Sequence, residues 1–575
     1  MPRANANLRP SPDLLPQVVS AHSPNPALVT QRAVQRLPRL ALLLLCAAYV
    51  LPGVFGRDPW KNADVTAYGY MTSLLRGEAS WLHPAIAGWG GTEGGVLPYW
   101  IGAAFMKVLT PWIDPALAAR LPFALLLTAT LALVWYATLH LARTEAAQPV
   151  AFAFGGEAHP VDYARAMADG AVLALMASLG LLQLGHETTP ELVQLAATAL
   201  LLYALAASPY RIGASRAAAL VALTSLAASG AATTGLLMGL AGALVCWRSS
   251  YAESRKLVPW LLAACVLAGT IGTLLDAWVW RVIPTAAWLG LPKLLAWFTW
   301  PVWPLAVWTL WRWRRQLLKR HLSVPLAMVL VALLVSASMG ASDRALMLAL
   351  PALAVLGAFA LPTLQRSVSA AIDWFSVFFF TASALLIWVI YVAMHTGVPA
   401  QPATNVTRLA PEFVPRFSLL ALGIALAGTV AWMALVRWRT GHHRHALWKS
   451  MVLPAGGVAL SWLLLMTLWL PLLDHARSYR PLVQRLATHL PTTGCVVTQN
   501  VSRSQIAALE VHGTWRLSLD PRTTDCQWLL MGHKERLNTP EALQQTPEMP
   551  GWTLVARERR PSDRDEVMLV YRRRP

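Results

Sequence analysis

Acidic and basic side chains are grouped between Gly56 and Trp100, in a chain of which only 13% of the residues are charged. The stretch contains the following charged residues near one another: Asp58, Asp64, Glu78 and Glu93, with Arg57 and Lys61. A carboxylate held near a hydroxyl group can orient it or remove its proton as a general base. The grouping therefore indicates a catalytic site, although any single one of these acids could instead cap a helix or pair with a base.

Aromatic residues share the same stretch: Trp60, Tyr68, Tyr70, Trp81, Trp89 and Trp100. Binding sites for small molecules commonly combine aromatic walls with a few placed polar groups. A sugar suits this combination, because its hydroxyl groups need acceptors and its apolar faces pack on rings. The stretch therefore favours a carbohydrate substrate.

The composition is that of a polytopic membrane protein. The chain has 575 residues, and 56% of them are hydrophobic, whereas about 25% of the residues of a soluble domain are charged. Its net charge of +19 lies in short clusters of Lys and Arg between apolar runs, which is typical of cytoplasmic loops. Because these clusters form no basic stripe on a soluble module, they argue against nucleic-acid binding.

The apolar runs predict about thirteen transmembrane helices, of which the first spans Leu40 to Phe55. The basic clusters at Arg312 to Arg320 and at Arg437 to Lys449 should be cytoplasmic. Counting back from them places residues 56–117 outside and a disordered basic arm, residues 1–36, inside. The run Val96 to Leu109 is short and interrupted, so we expect a juxtamembrane or re-entrant helix.

Residues 476–575 are charged and predict a small α/β domain on the same outer side as the 56–117 loop. Cys495 and Cys526 each stand at the start of an expected strand. In an oxidising compartment these cysteines would form a disulfide, and the alternative is two unpaired thiols.

Four segments carry a resemblance to a known family: RDPWKNADVTAYGYM, GTEGGVLPYW, GHETTPEL and SDRALMLALPALAVLGAFALP. They resemble motifs of the GT-C glycosyltransferases of bacterial inner membranes, specifically the superfamily of protein O-mannosyltransferases and lipid A aminoarabinose transferases. The resemblance implies a helical GT-C domain over residues 37–475 and a periplasmic domain over residues 476–575. It also implies transfer of a sugar from a polyprenyl-phosphate donor to a lipid, glycan or protein acceptor at the periplasmic face.

The sequence departs from the family pattern at several positions. The first acid of the family's Asp-Glu pair falls on Ala63, and the Lys and Pro of its Glu-Lys-Pro motif fall on Gly94 and Gly95. A Ser-Lys-Gly motif reads Ala228-Ser229-Gly230. Because the family's lysines face the donor phosphate, other bases must bind it here, and the candidates are Arg57, Lys61, Arg281 and Arg344.

The resemblance and the charge grouping together predict the site. We expect Asp64 to be the general base, with Glu187 and Glu93 as its catalytic partners. The residues expected to bind substrate are Asp58, Lys61, Arg57, Tyr68, Trp100, His186 and Arg344. A second acid, or a divalent metal ion on oxygen ligands, would stabilise the leaving phosphate. His186 would carry protons, bind that metal or cap a helix.

Two alternatives remain open at this stage. A degenerate GT-C protein would bind lipid-linked sugar without turnover, which the missing lysines favour. A polytopic transporter or flippase would need intramembrane ionisable residues and repeated halves, and the sequence shows few of the former and no clear repeat.

Overall fold

The computed structural model describes residues 25–90, 95–278, 290–440, 446–520, 526–534, 549–563 and 566–574. In chain order its helices are α1 (Arg39–Val50), α2 (Ala63–Arg76), α3 (Leu97–Leu109), α4 (Pro115–Ala142), α5 (Pro160–Ala177), α6 (Leu179–Leu184), α7 (Pro190–Ala207), α8 (Ile212–Ala228), α9 (Ala232–Trp247), α10 (Ala252–Arg255), α11 (Val258–Leu274), α12 (Leu291–Phe298), α13 (Val302–Arg312), α14 (Arg320–Ser338), α15 (Asp343–Met347), α16 (Leu350–Ala360), α17 (Arg366–Thr396), α18 (Ala400–Leu409), α19 (Leu419–Thr440), α20 (Lys449–Leu468), α21 (Leu470–Arg477), α22 (Arg480–Ala487) and α23 (Arg503–His512). The strands are β1 (Ala85–Ile86), β2 (Trp89–Gly90), β3 (Cys495–Gln499), β4 (Arg516–Ser518), β5 (Trp528–Lys534), β6 (Trp552–Glu558) and β7 (Glu566–Arg573).

The helical bundle confirms a multi-pass membrane protein. In the described part of the chain, seven helices are long and apolar enough to cross a bilayer: α4, α7, the continuous α10–α11, α14, α17, α19 and α20. Fewer helices meet this criterion than the thirteen expected, because several apolar runs form helices of only 10–17 residues. At about 1.5 Å per residue, such helices are shorter than the roughly 30 Å hydrocarbon layer.

The expected disorder of residues 1–36 is wrong for residues 25–36, which are ordered. Ala27, Val29 and Val34 of this segment are buried. The backbone N–H of Ala158 donates to the carbonyl of Val29, at 3.0 Å. The segment is ordered because it adds backbone hydrogen bonds to the 143–159 connection, a partnership that composition does not reveal.

The loop between α1 and α4 is a compact assembly of α2, a β1–β2 hairpin and α3. The hairpin turns through Ala87 and Gly88, which both have positive φ, as a tight two-residue hairpin turn requires. α3 has 13 residues and spans only about 20 Å. This length agrees with the predicted juxtamembrane helix.

The C-terminal region is a five-stranded mixed sheet with the order β4-β3-β5-β7-β6. β3 runs parallel to β4 and β5, and β7 runs antiparallel to β5 and β6. Cys495 and Cys526 are joined by a disulfide, as expected. α21 ends at Arg477 and crosses the predicted domain boundary at residue 476, so the bundle continues into the domain through a helix.

The domain is attached to the loop through α23, which packs on α2. A Cβ atom at Gly69 of α2 would lie 2.8 Å from the Cβ of Ala507 in α23. Only glycine permits this approach, because real Cβ atoms do not come so close. The contact places the first turn of α23 beside the first turn of α2, where the candidate site lies.

Candidate active site

Asp64 stands in the first turn of α2, and its side chain is buried. Its Oδ1 accepts hydrogen bonds from the backbone N–H of Thr188, at 2.9 Å, and from the Thr188 hydroxyl, at 2.5 Å. Its Oδ2 accepts the backbone N–H of Trp60, at 3.0 Å, and lies 3.3 Å from Nη2 of Arg57. These contacts join the loop to the segment after α6.

The same contacts use the acceptor capacity of the Asp64 carboxylate. A carboxylate offers about four lone-pair sites, and four donors point at this one. Burial alone would raise the pKa of Asp64, but the charges of Arg57 and Arg120 and the hydrogen bonds from Thr188 outweigh it and lower the pKa. Asp64 is therefore ionised and fully bonded, which suits a group that positions its neighbours.

Arg57 connects Asp64 to the His186 segment. Its side chain is 1% exposed, and Nη2 donates to the carbonyl oxygen of His186, at 2.8 Å. Arg120 of α4 in turn donates to the carbonyl oxygens of Arg57 and Val54. The Arg57 guanidinium also stacks over the Trp60 ring, 4.5 Å from its centroid. Arg57 is thus enclosed by the protein and does not reach an open surface.

His186 is also enclosed. Its Nδ1 lies 2.7 Å from the carbonyl oxygen of Leu182, and its Nε2 lies 2.9 Å from that of Tyr49. The ring packs against Trp462, with centroids 4.6 Å apart. Burial lowers the pKa of His186 to about 4. The residue therefore fastens the segment after α6 to α1, and the structure does not place it on a cavity.

Arg344, in α15, bridges two carboxylates. Its Nη2 lies 2.9 Å from Oε2 of Glu187, and its Nη1 lies 3.1 Å from Oε2 of Glu191. Burial alone would lower the pKa of Arg344, but the charges of Glu191 and Glu187 outweigh it and raise the pKa. Glu191 was not among the predicted residues. Glu191 follows Glu187 by four residues and lies in the first turn of α7. This spacing is the sequence feature that could have indicated it.

A polar cavity of about 410 Å³ lies between α2, the start of α7, α15 and α23. Its volume is within the usual range for small-molecule sites. Its lining combines hydroxyl side chains with charged groups. The lining residues are Asn62, Ala63, Thr66, Ala67, Tyr70, Tyr99, Pro190, Glu191, Arg344, Ser502, Arg503 and Ser504. Bundle, loop and C-terminal domain all contribute, so the cavity is the place where a substrate can meet the charged residues.

Several predicted residues lie outside this lining. Asp58 accepts two hydrogen bonds from Arg480, at 2.7 and 2.5 Å, and one from Ser478, at 2.9 Å. Trp100 donates its indole N–H to the carbonyl of Trp81, at 2.7 Å. Lys61, which is exposed, and Tyr68, which is buried, also lie outside the lining. The same holds for four residues described above: Asp64, Glu187, Arg57 and His186. Glu93 and Arg281 fall outside the described residues.

A second and larger groove, of about 560 Å³, lies between α1, α19 and α20. It is mainly apolar and sits toward the start of α20, at the opposite end of the bundle from the C-terminal domain. Its distance from the carboxylates and its lining argue against a role in the chemistry, so the smaller polar cavity is the candidate active site.

A scan against models of protein families gives no match, and a comparison with curated protein sequences gives none either. Among solved structures, the chain is similar to ArnT from Cupriavidus metallidurans, crystallised with undecaprenyl phosphate and in the apo state. Identity is 14% in both cases, and 92% of this chain is covered. The matches cover 97% and 96% of the ArnT chains, with TM-scores of 0.59 and 0.58. The chain has a GT-C fold.

Within this GT-C fold, two of the motif departures meet in space. A Cβ atom at Gly95 would lie 2.0 Å from the carbonyl oxygen of Ala228 and 2.5 Å from the backbone nitrogen of Gly230. Residue 95 is where the family motif has Pro, and 228–230 is where it has Ser-Lys-Gly. Backbone therefore packs on backbone here, and any residue larger than glycine at position 95 would displace it.

The GT-C resemblance left room for a divalent metal, and the described side chains do not fit one. No group of three or more His, Cys, Asp or Glu side chains comes together within the ranges that the structure describes. Glu191 of the cavity lining and the nearby Glu187 are both paired with Arg344.

Proposed function

We propose that this protein is a GT-C glycosyltransferase that transfers a sugar from a polyprenyl-phosphate donor to a lipid, glycan or protein acceptor. The observation that carries the proposal is the position of the polar cavity. Pro190 and Glu191 line it at the first residues of α7, which is long and apolar enough to cross the bilayer. In this proposal the cavity lies at the membrane boundary, where a lipid-linked head group would be presented.

The cavity suits a donor that stays in the membrane while its sugar reacts outside it. The polyprenyl tail would lie along the apolar helices, and the sugar would enter between α2 and α23. The similar fold of ArnT, which was crystallised with undecaprenyl phosphate, supports this class of donor. The tyrosine rings of Tyr70 and Tyr99 supply an aromatic wall for the sugar.

Guanidinium groups would face the donor phosphate in place of the missing lysines. Arg344 and Arg503 are the two arginines in the described lining of the cavity. Arg503 comes from the C-terminal domain and stacks over Trp89, 5.0 Å from the ring centroid. Arginine suits this task because its planar fork can bind two phosphate oxygens at once. Transfer would proceed by a single displacement, with inversion at the anomeric carbon.

The remaining predicted residues take supporting parts in this proposal. Asp64 and Arg57 hold the loop against the segment after α6, while Glu187 orients Arg344 from its buried side. Glu93 keeps its predicted role as a catalytic acid of the loop, and mutation of Glu93 would test this role.

We infer the orientation from charge. Arg437 and Arg439 end α19, and Lys449 begins α20, at the end of the bundle away from the C-terminal domain. Basic residues favour the cytoplasmic side, which would put the C-terminal domain and the cavity in the periplasm of a bacterial inner membrane. The Cys495–Cys526 disulfide supports this assignment, because disulfides persist in oxidising compartments.

A protein that binds lipid-linked sugar without turnover is the second candidate. The close packing of Gly95 on residues 228–230 favours it, because the resemblance puts the family's lysines at positions 94 and 229, next to this contact in the sequence. The presence of two arginines and a carboxylate in the cavity favours turnover instead.

A comparison of cells with and without the gene tests the proposal. Their glycolipids, lipopolysaccharide and glycoproteins would be analysed by mass spectrometry. We expect one glycoconjugate to lose a single sugar unit in cells without the gene and to regain it on complementation. Identical glycoconjugates in both strains would contradict the proposal, and sugar-lipid binding without such a difference would establish the second candidate.

A further inference from the structure

We propose that Glu191 is the general base that takes the proton of the acceptor hydroxyl, in place of Asp64. The proposal rests on the proposed function and names the group that removes the proton during sugar transfer. It starts from a contrast between the two acids: Glu191 lines the cavity, whereas the Asp64 side chain is 2% exposed and points into the protein.

The hydrogen bonds of the two carboxylates also favour Glu191 as the base. Asp64 meets four donors, from Thr188, Trp60 and Arg57. Glu191 receives one contact, from Arg344 to its Oε2, and its side chain is 24% exposed. Within the residues that the structure describes, Oε1 of Glu191 has no hydrogen bond. A base must lie within hydrogen-bond reach of the proton that it removes, and an acceptor hydroxyl in the cavity could approach Oε1.

The alanine at position 63 is a second observation that supports the proposal. This residue lines the cavity from α2, next to Asp64 in sequence. It is also the position where the family pattern has its first acid. With alanine there, the α2 wall of the cavity carries no carboxylate. Glu191 projects from the facing wall, at the start of α7, and in the described lining it is the carboxylate that remains.

The reaction balances with Glu191 as base. Its carboxylate takes the hydroxyl proton of the acceptor while the acceptor oxygen attacks the anomeric carbon of the donor. The bond between that carbon and the phosphate oxygen breaks, and its electron pair leaves with the polyprenyl phosphate. Glu191 then returns the proton to water. Arg344 positions the carboxylate and stays bound to Glu187 throughout, so the base keeps its orientation.

A matched pair of variants tests the assignment, because Glu187 and Glu191 share one guanidinium. Purified full-length protein would be added to membranes from cells without the gene, which retain unmodified acceptor and unused donor. Sugar gain by the acceptor would be followed by mass spectrometry. We expect Glu191→Gln to lower the initial rate at least 100-fold, the scale of general-base catalysis, and Glu187→Gln to lower it less than tenfold. The exposed Asp343→Asn in α15 should transfer at the wild-type rate.

Three results would overturn the assignment. Transfer by Glu191→Gln at more than a tenth of the wild-type rate removes Glu191 as the base while leaving the glycosyltransferase function intact. A larger loss in Glu187→Gln than in Glu191→Gln assigns the base to Glu187. Absence of transfer by the wild-type protein ends the proposed function and this assignment together.

A rescue variant keeps the test decisive if Glu191→Gln also loses stability. Adding Ala63→Glu to Glu191→Gln places a carboxylate on the facing wall of the same cavity. We expect a gain of at least tenfold over Glu191→Gln alone, and no gain from Ala63→Gln, which has the same size without the charge. No gain from Ala63→Glu, or equal gains from both, would contradict a carboxylate base in this cavity.

Discussion

Arg480 of the C-terminal region holds Asp58 of the loop through two parallel hydrogen bonds, from Nε to Oδ2 at 2.7 Å and from Nη2 to Oδ1 at 2.5 Å. The two residues are 422 positions apart. The backbone N–H of Asp58 also donates to Asp474, at 2.9 Å. This pairing fixes the loop under the C-terminal domain, and the cavity between them depends on that arrangement.

We predict that Arg480→Gln loosens the C-terminal domain, because it removes both bonds to Asp58. Arg480 is half exposed, so the loss should be about 1 kcal/mol. Arg480→Lys should recover only part of it, since an ammonium group cannot make the two-pronged contact. The temperature of unfolding in detergent and protease cleavage near residue 478 would measure this. Equal behaviour of the Gln and Lys variants would contradict the geometry.

Asp64→Asn should destabilise the protein by about 3 kcal/mol, because it leaves the buried Arg57 without its counter-charge. Thr188→Val removes only the hydroxyl bond to Asp64 and should cost about 1 kcal/mol. Thermal unfolding of the purified variants would show the difference. If Asp64→Asn kept full stability and lost only transfer, Asp64 would be a catalytic group and its assignment as a positioning residue would be wrong.

The stability of the C-terminal contact should fall as pH rises from about 4.5 to 7, because of Glu510. Burial, together with the charge of Glu78, raises the pKa of Glu510 from 4.5 to about 7. Between these values the folded protein holds a proton that the unfolded chain has lost, so stability decreases with pH across that window. Glu510→Gln should remove this part of the pH dependence of the unfolding temperature. An unchanged profile would show that Glu510 does not titrate there.

Gly69→Ala should separate α2 from α23, because the added Cβ would lie 2.8 Å from the Cβ of Ala507. Overpacking of this kind costs about 1–3 kcal/mol. Ala507→Gly in the same chain should restore most of the loss, apart from about 1 kcal/mol of helix propensity. Gly213→Ala serves as the control, since its Cβ would meet open space in α8. Loss of stability in the control, or no rescue in the double variant, would contradict a specific α2–α23 contact.

The sequence predicted the elements that depend on local pattern. The short α3 helix, the strands at Cys495 and Cys526 and their disulfide all agree with the structure. Their signals are apolar run length, alternation and the position of cysteines at strand starts. Each of these can be read within a few residues of the element itself.

The sequence predicted which types of residue surround the site, but not the directions in which their side chains point. Composition grouped Asp58, Asp64 and Arg57 in one loop, yet it could not show which partners their side chains bind. Direction depends on partners far along the chain, such as Thr188 for Asp64 and Arg480 for Asp58. The sequence also did not indicate that Arg503 lines the cavity, because only the packing of α23 on α2 brings it there.

The most direct test of the account is consumption of the lipid-linked donor. Purified wild-type protein would be incubated with membranes from cells without the gene, and the polyprenyl lipids would be measured by mass spectrometry. The account predicts that a polyprenyl-phosphate sugar decreases while free polyprenyl phosphate and one glycosylated acceptor increase together. Unchanged levels of all three species in the presence of folded wild-type protein would contradict it.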